Sequence, residues 1–161
     1  MQGRTIIFAL VLALTAALST TGGVAQKKVG SARAGDISVS EAWIRGVLPV
    51  ARVASGYLTV TNRGSVPDTL IGVRAPFAQL GQIHTMSVTD GVMIMSALDG
   101  GITIGPGETV TLSPGGLHLM FMDLTEAPPV GSTQPVVLEF ARAGDLRVDM
   151  PVSKIGAISV D

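Results

Sequence analysis

The chain has no cysteine and only two histidines; aromatic residues make up 4% and charged residues 14% of its 161 positions. Each scarcity excludes something. Without cysteine there is no disulfide framework, no thiolate zinc site and no blue-copper centre, which requires a Cys thiolate. A lipobox anchor is excluded too, because no cysteine follows the N-terminal apolar run. Eleven Lys and Arg stand against twelve Asp and Glu with no basic concentration, so nucleic acid is not an expected partner. Gly-x-Ser-x-Gly elbows, phosphate loops and dinucleotide fingerprints are all missing. The acidic residues fall mostly singly in turns, and Glu139 with Asp145 reads as a solvated pair. With no nucleophile–base arrangement, the chain is not expected to be an enzyme.

The N-terminus is different in kind. Arg4 precedes an apolar run over 6–18 broken only by Thr15, and Gly23-Val24-Ala25 supplies small residues for cleavage. This is the pattern of a secretory signal peptide over 1–25, with a run too short for a comfortable membrane span of about 20 residues. A retained anchor is the alternative. Residues 26–35 lack an apolar period and read as a linker, 36–155 as one domain, and 156–161 as a short tail. An exported protein with peripheral or no membrane contact, acting as a monomer, is the expectation.

From Asp36 onward the chain consists of short apolar runs separated by turn residues. Strands are expected at 37–39, 42–44, 55–61, 69–73, 83–86, 92–96, 109–112, 117–122, 136–140 and 146–150. Asn62-Arg63-Gly64, Pro67-Asp68, Thr89-Asp90-Gly91, Asp99-Gly100-Gly101, Pro114-Gly115-Gly116 and Gly144-Asp145 punctuate them. This spacing predicts an all-β antiparallel sandwich or barrel. The segment 76–83 is the one candidate for a helical turn.

What the chain does contain is a concentration of soft ligands. Both histidines and five of the seven methionines fall between His84 and Met122. They form the runs His84-Thr85-Met86, Val92-Met93-Ile94-Met95 and His118-Leu119-Met120-Phe121-Met122. Residues two apart on a strand share a face. His84 therefore sides with Met86, Met93 with Met95, and His118 with Met120 and Met122, while Leu117, Leu119 and Phe121 look inward. A turn at Thr89-Asp90-Gly91 would pair the first two runs as a hairpin. Thioether is soft and imidazole borderline, a combination that suits copper(I) better than zinc, calcium or magnesium. Methionine is also a common core filler. Met93 and Met122 are read that way, and a secreted β-sandwich interaction module with no metal stays open. So does a zinc site of His with Asp90 or Asp123, although zinc rarely takes thioethers.

The order His84, Met95, His118, Met120 resembles that of the periplasmic copper(I) chaperones of the PCuAC family. Ten residues separate His84 from Met95, as in that family, and twenty-two separate Met95 from His118, one more than usual. The turn Asp99-Gly100-Gly101 is where the extra residue is expected. Ala42-Trp43-Ile44-Arg45, Gly56-Tyr57-Leu58, Asn62, Asp90-Gly91-Val92-Met93 and Pro114-Gly115-Gly116 match as well, so the resemblance spans roughly 36–155. It implies a cupredoxin-like Greek-key β-sandwich. It also implies one copper(I) ion held by His84, Met95, His118 and Met120, with Met86 as an accessory. Delivery to the binuclear copper centre of cytochrome c oxidase subunit II, directly or through a thiol-bearing copper chaperone, is the implied task. Some members carry a His- and Met-rich C-terminal tail for copper(II), which the stretch Ile155–Asp161 does not resemble.

Overall fold

The computed structural model describes residues 29–159, and the expected signal segment lies outside them. Eleven strands follow one another: β1 (Ala32–Ala34), β2 (Ile37–Gly46), β3 (Val53–Asn62), β4 (Asp68–Arg74), β5 (Ala78–Thr89) and β6 (Val92–Ala97). They continue as β7 (Ile102–Ile104), β8 (Thr109–Leu112), β9 (His118–Leu124), β10 (Thr133–Phe140) and β11 (Gly144–Ile155). There is no helix among the described residues.

The strands make two layers. One runs β6-β5-β9-β3-β2-β11, with β1 added to β2 and β8 to β3; the other runs β11-β10-β4-β7. Strand β11 belongs to both. Thr133–Phe140 pairs with Gly144–Pro151 of β11, and beyond that point Val152 and Ile155 pair with Ile44 and Gly46 of β2. A strand that changes sheet makes a corner of the sandwich. The β2–β11 ladder is parallel, so the expectation of a purely antiparallel assembly is corrected.

Four differences from the sequence reading have local causes. The runs 37–39 and 42–44 are one strand interrupted by a bulge. Glu41 has φ 53° and the β2–β3 register shifts between Ser40 and Trp43. One extra residue reverses the phase of the pleat, so Ile37 and Val39 before it and Ala42 and Ile44 after it all reach the core. The helical turn expected at 76–83 does not form: β5 starts at Ala78, and Ala78 to His84 pair with β9. Gly81 sits in that stretch where a Cβ would lie 2.2 Å from the Val73 carbonyl oxygen. A glycine lets β5 pass this close to β4. A short strand, β1, lies within the segment read as linker and pairs with β2. Lastly, Ile102–Ile104 forms β7 against β4; three residues are too few to show a period.

The core lies between the layers and is dominated by Ile37, Ile44, Leu58, Leu70, Ile104, Leu119, Phe121, Leu138 and Met150, each under 2% exposed or close to it. Phe77 and Phe121 meet inside it with ring centroids 5.0 Å apart. Two buried polar side chains fasten its loops. Asn62 donates to the Val66 and Ile104 carbonyls and accepts from the Gly64 amide. Asp68 accepts from the backbone amides of Thr69, Arg142 and Ala143, tying β4 to the β10–β11 turn.

Candidate metal centre

The core-facing residues of the first layer define its other face by alternation. Leu119 and Phe121 of β9 and Ile83 of β5 are buried in the core. Their neighbours His118, Met120 and Met122, and Gln82, His84 and Met86, therefore look outward. Trp43 and Tyr57 share that outer face and stand outside the main core, with ring centroids 4.6 Å apart. The Arg45 guanidinium lies over Tyr57 and donates to the Ala157 carbonyl, so the C-terminal segment folds back across this end of the face.

Pairing then brings the soft residues together. On β5 and β9, His84 stands opposite His118 and Gln82 opposite Met120. On β5 and β6, His84 stands opposite Ala97 and Met86 opposite Met95. Directly opposed residues point to the same side of a sheet. His84, Met86, Met93, Met95, His118, Met120 and Met122 thus all occupy one face. The hairpin is closed by Asp90 and Gly91, with φ of 52° and 78°, between the paired Thr89 and Val92. That is the two-residue primed turn expected of an Asp-Gly loop.

The two imidazoles lie with ring centroids 5.7 Å apart and planes at 58°. Each is held by one hydrogen bond that leaves its other nitrogen free. His118 Nδ1 donates to the Gly116 carbonyl at 3.0 Å, which leaves Nε2 with its lone pair. His84 Nε2 donates to Gln82 Oε1 at 3.0 Å. Its Nδ1 is buried with no hydrogen-bond partner. A buried nitrogen lone pair without a donor costs free energy unless something fills the role. A partner on one ring nitrogen that fixes the tautomer and frees the other is the arrangement of a metal-binding histidine. Burial, and secondarily the neighbouring His118, push the His84 pKa below its ordinary value, which keeps the ring in its neutral, ligating form.

The expected ligands are not equally placed. His84, His118 and Met120 sit in the body of the sheet, His118 only 4% exposed. Met95 is on the edge strand, 49% exposed, one strand beyond Met86. Met86 follows His84 as Met120 follows His118, on antiparallel strands, so the two His-x-Met pairs flank the imidazoles from opposite directions. Met93 does not fill the core as expected: it is 63% exposed on β6. Met122 is half-buried on the outer face between Leu80 and Val53, not inside the sandwich. Gln82 escaped the sequence reading. Its position two residues before His84, on the same strand face, was the available signal. Among the described residues no cluster of three or more His, Cys, Asp or Glu is present, which removes the support for a His/Asp zinc site.

Comparison with known proteins agrees with this architecture. The family profile described as "Putative lipoprotein LpqE-like" matches residues 37–152. "Putative lipoprotein Lxx21020" of Leifsonia xyli subsp. xyli is 29% identical over 148 residues, covering 92% of this chain and 87% of the relative. The copper-bound PCuAC domain from PmoF2 superposes with a TM-score of 0.67 at 29% identity, covering 77% of this chain and 97% of that domain. Apo-DR1885 from Deinococcus radiodurans gives 0.58 at 27% identity, covering 95% and 97%. Relatives named as lipoproteins point to an exported protein, although these 161 residues hold no cysteine for a lipid thioether. The chain belongs to the LpqE-like family and shares the cupredoxin-like sandwich fold of the PCuAC domains it resembles.

Proposed function

We propose that this protein is an exported, periplasmic copper(I) metallochaperone that carries its ion on the outer face of the β5–β9 ladder. The observation that carries the reading is the facing pair His84 and His118, each with one ring nitrogen tied down and the other free, beside outward-facing thioethers. Copper is cargo here, not a resident cofactor. The ligand set is His84, His118, Met120 and Met95, with Met86 as an accessory. Neutral imidazoles and thioethers add no charge, so the loaded site keeps the single positive charge of copper(I). A divalent ion would be penalised more in this half-buried setting. Similarity to copper-bound PCuAC domains, including the CuI form of DR1885, supports the same ion.

A thioether- and imidazole-bound ion is surrendered readily to a thiolate pair. The acceptor is accordingly a Cys-bearing one: the binuclear copper centre of cytochrome c oxidase subunit II, or a thiol-bearing chaperone upstream of it. An interaction module without metal is disfavoured because Met93 and Met95 are exposed, where core packing would have buried them. The test is a copper(I) titration of the purified protein against a chromophoric chelator, with zinc in parallel. One tight copper(I) equivalent is expected, lost in the His118→Ala/Met120→Ala double variant. Equal affinity before and after that change, or a preference for zinc, would overturn the proposal.

A further inference from the structure

Burial sorts the methionines into two populations. Met150 is fully buried and fills the core, as methionine commonly does. Met93 and Met95 are 63% and 49% exposed, and Met86 is half-buried beside them. Met86 is directly opposite Met95, and Met93, two residues before Met95, is opposite Val88. All three side chains project from the same face of the hairpin. Opposed Cβ atoms in a sheet are about 5 Å apart and same-face neighbours along a strand about 7 Å. Three flexible thioether arms at those spacings can converge on one point.

Their setting is unusual for an edge. Exposed edge strands are ordinarily protected by charge, proline or a covering element. Here β6 reads Val-Met-Ile-Met-Ser-Ala, exposed along its whole length, and the one charge on the hairpin is Asp90 in the turn. Exposing Met93 and Met95 forgoes the burial free energy that such side chains gain inside a core.

We infer that Met86, Met93 and Met95 form a second soft-cation station, a three-thioether site for copper(I) at the sheet edge. The inference rests on the copper(I) reading above. Across the outer face the donors follow in the order Met120, His118, His84, Met86, Met95, Met93, from the sheet interior to its rim. Met86 and Met95 are shared: they serve the histidine station when one ion is bound and turn to the rim when a second arrives, leaving the first on His84, His118 and Met120. An ion moves outward by ligand exchange: a new copper–sulfur bond forms, a copper–nitrogen or copper–sulfur bond breaks, and the oxidation state does not change. At the rim an acceptor thiolate can reach the ion without entering the sandwich. The station holds no imidazole, so protons do not compete for it, and neutral sulfur alone makes it weaker than the histidine site.

The test uses the purified protein labelled with ¹³C at the methionine methyls, titrated with silver(I) as a redox-inert probe and then with copper(I) under a competing chelator. The first equivalent is expected to shift the methyls of Met120 and Met95 and, in the ¹H spectrum, both histidine rings. A second equivalent, bound at least tenfold more weakly, is expected to shift the Met93 methyl. Met93→Leu, at an exposed position, is expected to abolish the second equivalent and slow transfer to a dithiol peptide several-fold. It should leave the affinity of the first equivalent within twofold. A wild-type protein that binds one equivalent with an unmoved Met93 methyl overturns the rim station alone. So does a Met93→Leu variant that keeps the second equivalent. Absence of the first equivalent overturns the copper reading and the station with it.

Discussion

His84 on β5 and His118 on β9 are direct cross-strand partners, and their rings lie 5.7 Å apart on the outer face of the sheet. Nothing between them in sequence brings them together; the ladder does. Residues 92–97 form the hairpin partner on the far side of β5, and residues 102–112 leave to serve β7 and β8 before the chain returns as β9. The site is therefore a property of strand order, and its energetics follow from what each ring touches.

The methionines separate function from packing. Met120→Leu keeps volume and hydrophobicity but removes the sulfur, and is expected to lower copper(I) affinity at least about tenfold with little effect on stability. Met150→Leu, in the core, should cost less than about 1.5 kcal/mol and leave copper(I) affinity unchanged. Chelator competition and urea unfolding on both variants measure the contrast. Equal copper(I) affinities in the two would remove Met120 from the ligand set.

Gln82 positions a ligand without being one. Its Oε1 accepts from His84 Nε2 and holds the ring with Nδ1 free. Gln82→Ala is expected to weaken copper(I) binding by about 10- to 100-fold, the range seen when the outer partner of a metal-bound histidine is lost. Gln82→Glu should restore much of the binding, because a carboxylate also accepts from the ring. A merely structural role for Gln82 would show as lower stability in urea with unchanged affinity.

Acid should act on the empty protein through His84. Its folded-state pKa is lowered by burial and by His118. As pH falls below the unfolded value of about 6.5, the unfolded chain takes up a proton that the folded site resists, and stability declines until the folded pKa is reached. Above that window the effect vanishes. Urea midpoints measured from pH 8 to pH 5 should fall on the acid side, and His84→Gln should remove that part of the slope. A profile unchanged by the substitution would place its cause elsewhere.

The Asp90–Gly91 turn sets the register that aligns Met86 with Met95. Gly91 has φ 78°, and open space surrounds the position a Cβ would take. Gly91→Val is thus strained by conformation and not by contact, at about 1–2 kcal/mol. It should loosen the hairpin, seen as faster amide exchange at Met86 and Met95, while the sandwich keeps its fold. Unchanged exchange would show that ladder pairing alone fixes the register.

Loop fastening is separable from the metal site. Asp68→Ala leaves the Thr69, Arg142 and Ala143 amides without their acceptor and is expected to destabilise the fold by about 2–4 kcal/mol. Copper(I) affinity of the folded fraction should not change. Differential scanning calorimetry and chelator competition on the same sample read both quantities.

Period-two alternation, the Asp-Gly turn and the absence of cysteine were enough to read a β-sandwich, a hairpin at 84–95 and a soft, thiol-free ligand set from the chain alone. These are local properties: side-chain alternation and turn chemistry act within a few residues. Alternation also told which of Leu117 to Met122 look inward, though not what they look at. Only the tertiary structure decided that β9 lies beside β5 with His118 in register with His84. Pairing between distant strands depends on the order of the whole sheet. Burial is likewise a sum over neighbours from several strands. For that reason Met150 fills the core while Met93, identical in chemistry, stands in solvent at an edge that no other strand among the described residues covers.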